Sequence, residues 1–290
     1  MQFSSRQFLW PMLLALLILG VCCPTLIALA QEESPAAGGE RKGAAAGQMQ
    51  AMQRRAQSLR VTVGSAPPKE ARLSEAALLR YINPGGDVAT ADGTVWAWTT
   101  TGRPAALAAI FFERLPEGEK WSCELLALAD EPVSLQSPAS WQWTPGESAL
   151  KLTPVPGTPA VAESAAARGR QMKALARRFR ASESFGEDRT DQLRLMITPL
   201  HRYSDPGQRL VDGALFAFAS GTNPEALLVL EAIGDEGSAA WHFAFARMGA
   251  ARCQAHLDDK LVWQCPTIEN WDNRAPYYSM FGTDQAVFGE

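Results

Sequence analysis

Asp92-Gly93-Thr94-Val95-Trp96-Ala97-Trp98 aligns without a gap with Asp212-Gly213-Ala214-Leu215-Phe216-Ala217-Phe218, 120 positions further on. Both stretches alternate large apolar with small residues, the period-two pattern of a strand that packs on the core. At the same offset Pro104, Ala106 and Leu107 meet Pro224, Ala226 and Leu227, while Trp121 meets Trp241 and Trp143 meets Trp263. Upstream, Leu78-Leu79-Arg80-Tyr81-Ile82-Asn83-Pro84-Gly85 matches Leu200-His201-Arg202-Tyr203-Ser204-Asp205-Pro206-Gly207 at an offset of 122, a two-residue loop difference. Coincidence at Trp, Pro and Gly points to a duplicated unit. The expected fold is mainly β: two repeated antiparallel β units joined by an α-helical linker, a β-rich α+β protein.

The first thirty residues set the compartment. Arg6 precedes an uncharged apolar run, Phe8 to Ala30, that ends in Ala28-Leu29-Ala30, the small-x-small pattern of a cleavage site. Export is expected, to the periplasm, the cell envelope or the outside. Cleavage after Ala30 is the preferred reading, and an uncleaved anchor, the alternative, would be the chain's sole membrane attachment. The formal net charge of −4 gives no basic surface for nucleic acid.

From these signals the chain divides into a signal segment (1–30), a flexible linker with a short helix (31–70), β unit 1 (71–146), a Pro-rich linker with a basic amphipathic helix (147–190), β unit 2 (191–266) and an aromatic tail (267–290). Strands are expected at about 72–82, 93–101, 104–115, 121–129 and 140–144, and again from 193 to 265. Asp92-Gly93 reads as turn chemistry. Helix formers run from Ala160 to Arg180, with Met172, Leu175 and Phe179 on one face and Arg168, Arg170, Lys173 and Arg177 looking outward. The tail, with Trp271, Tyr277, Tyr278, Phe281 and Phe288, is too aromatic to be disordered and is expected to fold over a sheet.

Outside the signal segment the cysteines are Cys123, Cys253 and Cys265. The last two flank Asp258-Asp259-Lys260, and a hairpin there would make them cross-strand neighbours; a disulfide or two buried thiols both follow from that placement. No metal-ligand spacing, phosphate loop, nucleophile elbow or cofactor fingerprint occurs, so neither metal nor cofactor is expected. Two arrangements are candidates for ligand binding. Arg80-Tyr81 and Arg202-Tyr203 precede a turn in both units and pair a guanidinium fork with an aromatic ring; their structural alternative is that each Arg pairs with Asp92 or Asp212 while the Tyr packs inside. The Trp residues of unit 1, Trp98 among them, could stack on sugar rings, although their counterparts in unit 2 are also apolar and favour a core role. His201 and His242, with Asp205 or Asp212, are the sole acid–base candidates, and neither histidine has a counterpart in unit 1. No catalytic residue is assigned.

The paired Arg-Tyr-x-Asn/Asp-Pro-Gly and Asp-Gly-x-x-aromatic-Ala-aromatic runs, joined by Arg170-Gln171-Met172-Lys173-Ala174-Leu175-Ala176-Arg177, resemble a group of uncharacterised exported proteins of planctomycete-type bacteria. That resemblance implies export and no particular activity. The expected function is a non-catalytic binding or interaction protein of the envelope or periplasm, recognising an envelope polymer or another envelope protein through a groove between its two lobes. A hydrolase acting on envelope polymer and a self-associating structural component are the alternatives.

Overall fold

The computed structural model describes residues 35–83, 90–115, 118–186, 189–235, 237–282 and 287–289. Residues 1–30, read as an export signal, therefore lie outside the described residues. Pro35–Lys42 belong to a separate unit from the compact body that begins at Gly43. The chain runs through helix α1 (Pro35–Ser58), β1 (Arg60–Val63), β2 (Lys69–Glu70), β3 (Arg72–Leu73), β4 (Leu79–Asn83), β5 (Thr90–Thr99), β6 (Ala106–Leu115), β7 (Gly118–Ala127), β8 (Val133–Gln136), β9 (Gln142–Trp143) and β10 (Thr153–Pro154). Helix α2 (Ala165–Ala176) follows, then β11 (Phe179–Phe185), β12 (Arg189–Asp205), a 3-10 turn (Pro206–Gln208), β13 (Leu210–Ser220), β14 (Asn223–Ile233), β15 (Ala240–Arg247), β16 (Arg252–Leu257), β17 (Lys260–Cys265) and β18 (Tyr277–Met280). The protein is mainly β, and its sheets are antiparallel.

Among the described residues three sheets form: β2-β1-β8-β9; β18-β7-β6-β5-β3, with β4 also on β5; and an eight-stranded sheet in the order β10-β15-β14-β13-β12-β11-β16-β17. Registers in the two halves agree at many positions 120 residues apart. Trp96 faces Ala108 as Phe216 faces Leu228, Phe112 faces Trp121 as Ala232 faces Trp241, and Tyr81 faces Gly93 as Tyr203 faces Gly213. The small strands agree as well: Val61 faces Leu135 as Ala181 faces Ala255, and Leu135 faces Trp143 as Ala255 faces Trp263. In the first half β2, β3 and β4 occupy the path that β12 covers alone in the second. Between β3 and β4 the chain leaves the ladder after the Ser74 N–H bonds Ala97 O and returns where the Leu78 N–H bonds Val95 O; in β12 the register breaks between Met196 and His201 at the same place.

The side chains sort into three cores because successive residues of a strand point to opposite faces. Trp96, Trp98, Ile110, Leu125 and Trp143 pack with Met52 and Ala56 of α1. Phe216, Phe218, Leu228, Leu230 and Phe245 pack with Met172 and Ala176 of α2. The opposite faces of the two large sheets meet in a third core, with Val95, Leu107, Ala109 and Leu126 against Leu215, Leu227, Val229 and Ala244. Each fully buried large apolar side chain contributes about 1.5–3 kcal/mol relative to exposure.

Several expectations are corrected. Asp92-Gly93 is not a turn but lies inside β5, and the expected strand 72–82 is broken. Helix α1 is longer than the short helix expected within the 31–70 linker, and β1 and β8 fall outside the expected strands, although Val61 and Val63 are both buried and two apart. Helix α2 is shorter than expected: Ser164 caps its start by accepting from the Ala167 N–H, and Phe179 belongs to β11. The basic face of α2 does not look wholly outward, since Arg168 reaches Asp212. The tail folds onto the first half, where β18 pairs with β7.

Candidate functional site

The expected groove between the two β units is filled along its middle by the third core. Its polar features sit on strand β14, whose seam-facing residues Glu225, Leu227, Val229 and Glu231 read polar, apolar, apolar, polar. Six residues of strand separate the two glutamates by about 20 Å, so each carboxylate marks one end of the seam.

At the Glu231 end the carboxylate is fully buried and receives Arg103 Nε at 2.7 Å, Arg103 Nη2 at 3.0 Å and the Tyr203 hydroxyl at 2.8 Å. Arg103 also donates to Leu128 O at 3.1 Å and lies 3.6 Å from Asp130. Burial works against the Arg103 charge, but Glu231 outweighs it and raises the pKa; burial and the Glu231 charge keep Tyr203 protonated. A bidentate guanidinium–carboxylate pair in a partly desolvated position is geometrically rigid. This pair forms the floor of a cleft of about 730 Å³ whose walls include Lys69, Glu131, Asp130 and Asp205. Sequence reasoning missed both floor residues. Glu231 was visible as the single charge within Ala226–Ile233, and Phe111 holds the matching place in the first half.

At the Glu225 end, Tyr277 donates to Glu124 Oε1 at 2.8 Å, and the Arg247 guanidinium lies 5.6 Å from the Tyr277 ring centre. Burial raises the Glu124 pKa to about 7, against the Tyr277 hydrogen bond and the Arg247 charge. Glu225 is also raised, by burial and then by the charges of Glu183 and Glu124.

The Arg-Tyr pairs lie elsewhere. Arg80 Nε donates to Asp92 Oδ1 at 2.8 Å, and Arg202 Nε to Asp212 Oδ1 at 2.8 Å. Tyr81 and Tyr203 are buried with their rings over Gly93 and Gly213. The two arginines are about equally exposed, at 39% and 37% of the side chain, and differ in their neighbours. Arg80, with Tyr81, Asp92, Gln48 and Thr222, lines a shallow concavity of about 310 Å³. Arg202 donates to Ala165 O at the start of α2, while Arg168 Nε donates to Asp212 Oδ2 at 2.7 Å. Burial opposes the Asp212 carboxylate, and the two arginines outweigh it, so its pKa falls below the ordinary aspartate value. Trp98 is buried under α1.

The histidines are not brought together with Asp205 or Asp212 as an acid–base set. His201 stacks on Tyr203 with ring centres 5.9 Å apart, and burial lowers its pKa. His242 Nδ1 sits 3.0 Å from Ala240 O. Among the described residues no group of three His, Cys, Asp or Glu side chains could hold a metal ion, and no helix is long and apolar enough to cross a membrane. Cys253 and Cys265 are directly opposed on β16 and β17 as free thiols. Comparison with known protein families, curated proteins and solved structures gives no match.

Proposed function

We propose that this chain is an exported, non-catalytic binding protein of the cell envelope, built from a duplicated unit of one helix and the strands that follow it, with the cleft over Arg103 and Glu231 as its recognition surface. The observation that carries this reading is the floor of that cleft: a buried ion pair locked by Tyr203, preorganised and already saturated, which suits holding a partner in register better than transferring protons. Ligand sites favour such junctions between packed units. The duplication rests on the shared registers and on Met52/Met172 and Ala56/Ala176, which keep the same offset of 120 in the two helices. Export rests on residues 1–30 and on the resemblance to exported proteins of planctomycete-type bacteria. The partner class is an envelope polymer or another envelope protein.

The test is calorimetric titration of the chain, purified from an exporting host, with soluble fragments of that host's envelope polymer. Wild type is compared with Glu131→Lys and Asp205→Lys, which change the charge of the cleft wall at residues that carry no ion pair to the floor. Binding that both variants weaken about tenfold or more supports the reading. Binding that neither variant alters moves the site elsewhere, and fragments cleaved during the titration would favour the hydrolase. An intact mass beginning at Met1 rather than Gln31 would contradict cleavage after Ala30.

A further inference from the structure

The second half carries a feature that the first lacks. Glu183, Cys253 and Cys265 are consecutive Cα partners across β11, β16 and β17, so their side chains share one face of the sheet in a single row. At the matching positions the first half has Val63, Val133 and Pro145. Directly opposed antiparallel residues have Cα atoms about 4.5–5.5 Å apart, within the span a disulfide bridges without moving the backbone. The two thiols are unequal. Cys253 is fully buried, while Cys265 lies on the edge strand β17 and is half-buried.

We propose that Cys253 and Cys265 form a redox-active dithiol that reacts with small disulfides, Cys265 attacking first and Cys253 resolving. In the first step the Cys265 thiolate forms a bond to one sulfur of the small disulfide and expels the other half as a thiolate. In the second, Cys253 Sγ bonds to Cys265 Sγ, the mixed disulfide breaks, and the Cys253 proton leaves with the second half as a free thiol. Both protein thiols are oxidised and the small disulfide is reduced to two thiols.

The surroundings set that order. Cys253 Sγ donates to Ala251 O at 3.7 Å, and the adjacent Cys253 thiol lowers the Cys265 pKa below that of an ordinary thiol against the cost of burial, with Arg247 on β15 acting in the same direction. The neighbouring Cys265, burial and the Glu225 charge on β14 raise Cys253 and keep it protonated, and Arg247 opposes them without prevailing. Glu183 on β11 completes the charged surroundings; it is 1% exposed, its Oε2 lacks a hydrogen-bond partner, and its pKa is raised, first by burial. A thiolate that is exposed and lowered attacks, and a buried thiol resolves.

The experiment uses the reduced chain with oxidised glutathione, read by intact mass and peptide mapping. Wild type should lose two hydrogens with Cys253 linked to Cys265. Cys253→Ser should stop as a glutathione adduct on Cys265, and Cys265→Ser should stay unmodified at both Cys253 and Cys123. Because a buried serine can unfold the chain, Cys253→Val, the residue of the matching strand, serves as the second trap and should give the same adduct. With a limiting alkylating reagent at pH 7, Cys265 should react about tenfold faster than Cys123 or Cys253. Wild type that stays reduced while folded, or an adduct that settles on Cys253 in preference to Cys265, overturns the proposal.

Discussion

The ring of Tyr203 lies so close over Gly213 that a Cβ added there would come within 2.5 Å of Tyr203 Cε2, and Tyr81 covers Gly93 at 2.6 Å from Cζ in the same way. Each glycine is needed for approach rather than for a turn. The ring fills the missing side chain's place, and the Asp that precedes the glycine ties down the Arg that precedes the Tyr. Because both tyrosines are buried, neither ring can swing aside into solvent. Gly93→Ala and Gly213→Ala should each destabilise the fold by about 1–3 kcal/mol through overpacking. Urea unfolding checks it: a midpoint that stays at the wild-type value for either variant would show that the ring is free to move.

The Arg103–Glu231 pair should behave differently from a surface salt bridge. Glu231 is 0% exposed, so removing its partner leaves a charge in the seam. Arg103→Met is expected to cost about 3–5 kcal/mol, whereas Arg103→Met combined with Glu231→Leu should recover much of that loss, because two apolar side chains replace a pair that was costly to desolvate. A double variant less stable than the sum of the single ones would refute this account.

Much of this architecture was legible because strand periodicity and the offset of 120 coincide at rare residues such as Trp121/Trp241. What stayed hidden shares a cause: the reason for a residue lay in a distant part of the chain. Gly93 reads as a turn former until Tyr81, twelve positions earlier, is seen above it. Met52 and Met172 match in sequence, and both segments read as helices set within linkers; packing on the strands that follow makes each helix part of its unit. Glu231 could be noticed as a charge among apolar residues, yet its partner Arg103 sits in a loop of the other half, a pairing no local pattern encodes. The thiol pair was the converse case, since the short Asp258-Asp259 turn, both residues at positive φ, made its register local.

Stability should fall as pH rises from about 4.5 toward 7. Glu124 has an ordinary carboxyl value of 4.5 when unfolded and about 7 when folded. Between those values the native state holds more protons than the unfolded one, so each step up in pH favours unfolding. Glu113, Glu183 and Glu225 are raised as well and act in the same sense. Glu124→Gln, which keeps a neutral partner for Tyr277, should flatten this slope and raise Tm at pH 8 by about 2–4 °C, the equivalent of ~1 kcal/mol in a chain of this size. A slope unchanged by the substitution would place the titration on the other carboxyls.

Asp212 should show the opposite dependence, and its two arginines set it. Its folded pKa is depressed, so its contribution is present above the ordinary aspartate value of 3.8 and is lost as pH falls through the folded value. Two guanidinium groups hold it, Arg202 from β12 and Arg168 from α2, and the second of these pins the first turns of the helix to the sheet. In the first half Gln48 stands where Arg168 does, 120 positions earlier, and lines the concavity beside Arg80. Arg168→Gln therefore gives the second half the first half's residue. It is expected to cost about 1.5–3 kcal/mol, the worth of a hydrogen bond to a charged group, and to speed amide exchange in α2 while leaving α1 unchanged. Exchange that accelerates equally in both helices would mean that the helix is held by Met172 and Ala176 alone and that Arg168 contributes only to global stability.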